Sequence, residues 1–196
     1  MKTSRHNRAQ GIAAIMALLL SCLASAAAPA AAPAAAPVAA QASATNAFVA
    51  LFSTTCMKYF SSPDKLRVAM KEGGMDPLSA VATKFFLNGK DGYAWAVPID
   101  DQRYVVTLRS DGICAVFAQH AEIEAVRKDF TRLVSKATPP VEAHVLPGGT
   151  NNAVVQTTTY AWSKPAEETQ LVFMLTTSTD PKAPAQAMAT MALAAK

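Results

Sequence analysis

The sequence is poor in the residues that most often carry chemistry. Its 196 residues contain three histidines and three cysteines, and only 16% are charged. His120 and His144 each stand alone, with no second His or Cys at metal-ligand spacing, so no metal motif is present. There is no G-x-S-x-G, which excludes a nucleophile elbow. Gly148-Gly149 reads as a turn, not a phosphate cradle. Asp100-Asp101 and Glu167-Glu168 are adjacent pairs. On a strand such neighbours face opposite ways, whereas acid–base catalysis needs convergent groups. No residue is therefore assigned a catalytic or metal-binding role, and no cofactor is implied.

Long hydrophobic runs are also missing. The apolar run of the leader, residues 11–23, covers about thirteen positions, against roughly 20 for a membrane-spanning helix. Lys2, Arg5 and Arg8 precede it, and Ala24-Ser25-Ala26 follows it with small residues at cleavage positions. This is the anatomy of a secretory signal peptide over 1–26. A second cut is open. Leu19-Leu20-Ser21-Cys22 resembles a lipobox, which would remove 1–21 and leave a lipidated Cys22. Leu23 after that cysteine implies the outer membrane rather than inner-membrane retention.

Acidic residues are absent from the leader, which distorts the formal net charge of +4. Three of the 18 Lys and Arg lie there, against none of the 14 Asp and Glu, so the rest of the chain carries about +1. A near-neutral domain without basic clusters has little attraction for a phosphate backbone, and no nucleic-acid partner is expected. The only expected membrane contact is a lipid anchor at Cys22.

Cysteine parity resolves under either cut. Cleavage after Ala26 discards Cys22, and lipidation consumes its sulfur. Cys56 and Cys114 remain, and in an oxidising compartment such a pair reads as a structural disulfide.

Residues 27–45 are almost entirely Ala, Pro, Val, Gln and Ser. Their recurring prolines block a continuous helix and leave a semi-extended tether. Residues 46–196 have the length of a single domain. Phe48, Leu51, Phe52, Cys56, Tyr59 and Phe60 share one helical face. Ser62-Pro63-Asp64 starts a second helix, ended by Gly73-Gly74, and Asp76-Pro77 starts a third, through Phe85-Phe86 to Asn88-Gly89. The period then becomes two, giving strands over 92–97, 103–109 and 113–117. With a two-residue Asp111-Gly112 turn, Val106 faces Phe117 and Cys114 points to the opposite face; a three-residue bulged turn swaps the faces. An amphipathic helix follows over 122–137. Further strands are expected over 141–146, 154–162, 170–177 and 185–194. The fold class is α+β: N-terminal helices, then a mainly antiparallel sheet of six to seven strands with one amphipathic helix inserted mid-sequence.

Tyr93-Ala94-Trp95 recurs as Tyr160-Ala161-Trp162, an offset of 67, with Val105 and Leu108 matched by Val172 and Leu175. The recurrence suggests two α-then-β modules. Within each segment Tyr and Trp share a strand face. Exposed, Tyr93, Trp95, Tyr160 and Trp162 would be binding platforms; buried, they are ordinary core, which the frequency of buried aromatics favours.

The leader, the Phe48–Phe52–Cys56 helix, the Trp95 strand, the Asp111-Gly112-x-Cys114 turn and the later helix with Phe130 together resemble a family of small exported proteins and lipoproteins of Gram-negative bacteria. The resemblance covers most of 46–194. It implies a paired-cysteine scaffold in the periplasm, secreted, or on the outer membrane, and no activity. The expectation is a non-enzymatic envelope protein that binds a protein partner or small ligand. The alternatives are a hydrolase with a site assembled from scattered residues, or an immunity- or inhibitor-type protein.

Overall fold

The structure, a computed structural model, describes residues 46–196. The signal peptide, both cleavage positions, Cys22 and the 27–45 tether lie outside the described residues.

The chain opens with α1 (Ala47–Phe52), capped by the Asn46 side chain, which accepts from the Phe48 N–H at 3.0 Å. It continues as a π-helical turn over Ser53–Met57. Ser53, Thr54 and Thr55 each donate their hydroxyl to the carbonyl of Ala50 or Leu51. Such back-bonding competes with the helical ladder and loosens it, which accounts for the wider turn that carries Cys56. Next come α2 (Pro63–Glu72), the two-residue strand β1 (Asp76–Pro77) and α3 (Ala80–Phe86). The strands β2 (Gly92–Ile99), β3 (Gln102–Arg109) and β4 (Cys114–Ala118) follow, then α4 (Ile123–Val134). The chain ends with β5 (Glu142–Leu146), β6 (Val155–Ser163), β7 (Thr169–Ser178) and β8 (Ala187–Ala195).

All eight strands form one antiparallel sheet in the order β1-β2-β3-β4-β8-β7-β6-β5. The strand count is eight rather than six to seven. The addition is Asp76-Pro77, expected to start a helix, which instead pairs with β2 at the sheet edge. An edge strand tolerates proline because the missing donor faces away from the ladder. The helix begins three residues later, where the Ser79 hydroxyl accepts from the Ala82 N–H. Ser62 likewise makes no side-chain cap at α2. The tail at 187–195 is a strand, as expected.

Each half of the sheet is a four-stranded meander, and the last strands of the two, β4 and β8, pair at the centre. The Tyr-Ala-Trp segments occupy corresponding strands, β2 and β6. Tyr93 pairs with Leu108, whereas Tyr160 pairs with Phe173. The second strands are thus offset by 65, not 67, so Leu108 and Leu175 do not correspond. A slip of two preserves the faces.

The β3–β4 connection is the three-residue turn. Arg109 N–H bonds Ile113 C=O at 2.8 Å, and Gly112 supplies a positive φ of 88°. Cys114 therefore opposes Leu108 and lies on the face of Val106 and Val116, not on the opposite face. That face is covered by α1, α2 and α4. Phe48, Phe52, Leu66, Val126, Phe130 and Phe173 are each no more than 1% exposed within it. Burying each such side chain contributes about 1.5–3 kcal/mol, which fixes which face the helices take. Cys56 and Cys114 are disulfide-bonded with a Cα–Cα distance of 5.4 Å, clamping the π turn to the sheet centre.

Candidate functional site

The four expected aromatics are not gathered on one surface. Trp95 is 6% exposed in the helix-covered core and stacks on Tyr93 with ring centroids 5.8 Å apart. Tyr93, 46% exposed, accepts a hydrogen bond at its hydroxyl from Arg67 of α2 at 2.8 Å, and the Arg67 guanidinium lies over its ring. Tyr160 is buried. Trp162 packs on Phe173 at 4.7 Å and donates its indole N–H to the Val134 carbonyl at 2.7 Å, closing the C-terminal end of α4. These side chains join helices to sheet.

The opposite sheet face is different. Among the described helices, only α3 lies over it, through Phe86 against Phe117, ring centroids 5.1 Å apart. Beside α3 are two adjoining cavities of about 460 and 380 Å³, sharing Phe86, Asn88, Phe117 and Met188. Together they follow the central seam where β4 meets β8. The floor alternates small and flexible side chains: Ala115, Thr190 and Ala192 leave depth, while Met174 and Met188 adapt to an occupant. On α3, Phe85 lines the larger cavity and is 62% exposed, and Val81, four residues earlier on the same side, is 82% exposed. Single exposed apolar residues are ordinary; these two lie one helical turn apart beside an apolar cavity.

Arg109 is the one charged residue lining either cavity, at the Ala192 end. It pairs with Asp111 through Nη2. Its Nε is buried without a hydrogen-bond partner, an arrangement that costs about 1–3 kcal/mol.

A third, more polar cavity of about 280 Å³ contains Tyr104, His120, Glu122 and Gln186. Burial raises the Tyr104 phenol above its ordinary range, and the nearby charge of Asp100 adds to the rise. His120 and Glu122 are solvent-exposed. Of the titratable groups lining it, only Tyr104 is buried, so the buried, converging pair a hydrolytic site would need is not assembled here. Asp129 is also buried, but it accepts from the Asn46 N–H and from Arg132, both at 2.8 Å, and is a structural tie between α4 and α1. His144 sits on β5 beside Glu142 at 3.6 Å, both exposed. No group of three His, Cys, Asp or Glu among the described residues is placed to hold a metal.

The residues around the seam cavities were not singled out from sequence, although a signal for them exists. Strands β4, β7 and β8 read as nearly continuous apolar stretches, CAVFA, LVFML and AMATMALAA. A sheet wet on one side alternates apolar and polar residues; one apolar on both sides does not. Comparison with known proteins finds no matching family model, no matching curated protein and no matching solved structure.

Proposed function

We propose that this is an exported, non-catalytic protein of the cell envelope that binds an apolar ligand or partner segment along the central seam of its sheet. The observation that carries this reading is the pair of adjoining apolar cavities on the sheet face that α1, α2 and α4 leave uncovered. Their volumes fall within the roughly 300–1,000 Å³ of ligand pockets. Export is supported by the leader and by the Cys56–Cys114 bond, since such bonds persist in oxidising compartments. Release into the periplasm or medium and anchoring at a lipidated Cys22 are both compatible with this role.

The test is a titration of the folded 46–196 chain with the neutral, environment-sensitive dye N-phenyl-1-naphthylamine. Bright, saturable binding at one site is expected, and Thr190→Trp, which fills the floor, should abolish it. Absence of binding, or binding unchanged by Thr190→Trp, rejects the reading.

A further inference from the structure

Resting on that seam-cavity reading, we infer that the occupant is a long-chain fatty acid, with its carboxylate at Arg109. Four features of the site point there.

The first is what the lining lacks. The seam is the interior of a sheet, where strand N–H and C=O groups are spent in the ladder. A peptide laid there would leave its own backbone groups unpaired, which is costly away from water. An alkyl chain has none to satisfy. Two of the seam-face hydroxyls are also engaged: Thr107 donates to the Ala115 carbonyl, and Thr176 shares a hydrogen bond with the Thr157 hydroxyl.

The second is shape. The cavities run from Ala185 past Met188 and Thr190 to Ala192, a span of about 23 Å at the rise of a strand. Such a span suits an extended long chain better than a compact ring system.

The third is charge. Arg109 is the only charged lining residue and stands at one end. Asp111 engages one edge of that guanidinium, so a neutral lipid would leave Nε without an acceptor, whereas a carboxylate matches the remaining fork.

The fourth is the unused donor. Asp111 engages Nη2, and Nε donates to nothing. A turn of the guanidinium toward the cavity therefore costs no hydrogen bond at Nε, and the arriving carboxylate supplies its missing acceptor.

The experiment is displacement of N-phenyl-1-naphthylamine by hexadecanoate, decanoate and hexadecanol, on wild type, Arg109→Gln and Arg103→Gln. Arg103 is an exposed residue of the same strand that lines neither cavity. Hexadecanoate should compete at least tenfold better than hexadecanol. It should also compete far better than decanoate, since each methylene is worth about fourfold. Arg109→Gln should reduce hexadecanoate to the level of hexadecanol and leave hexadecanol unchanged, while Arg103→Gln alters neither. Equal competition by acid and alcohol, or an acid preference that survives Arg109→Gln, overturns the inference while dye binding keeps the cavity reading standing. Failure of the dye itself removes both. Melting curves of the variants establish that each is folded.

Discussion

Removing the Cys56–Cys114 bond should lower stability sharply without disturbing the seam. The two residues are 58 apart in sequence, and closing a loop of that length removes enough denatured-state entropy to stabilise the fold by about 4 kcal/mol. For a domain of this size each kcal/mol moves the melting temperature by about 2–4 °C, so the double variant Cys56→Ala/Cys114→Ala should melt about 8–16 °C lower. Both sulfurs are buried on the face packed by α1, so alanine leaves no exposed polar group. Differential scanning calorimetry of the double variant, and of wild type with and without reductant, reads the effect. The two routes should agree, because both open the same loop. The N-phenyl-1-naphthylamine titration of the double variant at low temperature should be unchanged, since the cavities lie on the other face of the sheet. A drop below about 3 °C would show that the denatured chain is already constrained or that the bond strains the fold. Loss of dye binding in a folded double variant would refute the independence of the two faces.

Two further perturbations test particular positions. Gly92→Ala places a Cβ against the Leu108 carbonyl and 2.8 Å from the Arg109 Cα, at a positive φ of 149°; a loss of about 3 kcal/mol or more is expected in urea unfolding, and a loss below about 1 kcal/mol would contradict that close approach. The Tyr104 phenol titrates above its ordinary 10.0 in the folded protein, chiefly through burial. Its contribution to stability is therefore present below about pH 10 and is lost as pH rises further, because the unfolded chain ionises first. A spectrophotometric titration at 295 nm should show a late component that Tyr104→Phe removes; no late component would contradict the burial.

Local signals carried much of the fold. Ser62-Pro63-Asp64 and Gly73-Gly74 bracket α2 because proline and glycine act on the backbone itself, whatever surrounds them. The α4 stripe and the strand character of 187–195 were also legible. What the sequence left open depended on one residue of register. Ser110, Asp111 and Gly112 fit either a two- or a three-residue turn, and the choice decides which face Cys114 takes. Asp76-Pro77 resembles a helix start, and only the neighbouring β2 makes it a strand. The candidate site was hidden for a related reason. Phe86, Phe117, Met174 and Met188 lie on three strands and a helix, and only the central β4–β8 pairing assembles them. The Tyr-Ala-Trp recurrence drew attention to the packed face instead.

The central claim is that the seam face, not the helix-packed face, receives a ligand. Methionine methyl NMR tests this directly, because the two faces carry different methionines. Met174 and Met188 line the cavities, while Met70 and Met191 are buried in the opposite core. Titration with hexadecanoate should shift the methyl resonances of Met174 and Met188 in a saturable way and leave those of Met70 and Met191 in place. Shifts confined to Met70 and Met191, or none at all, would contradict the account.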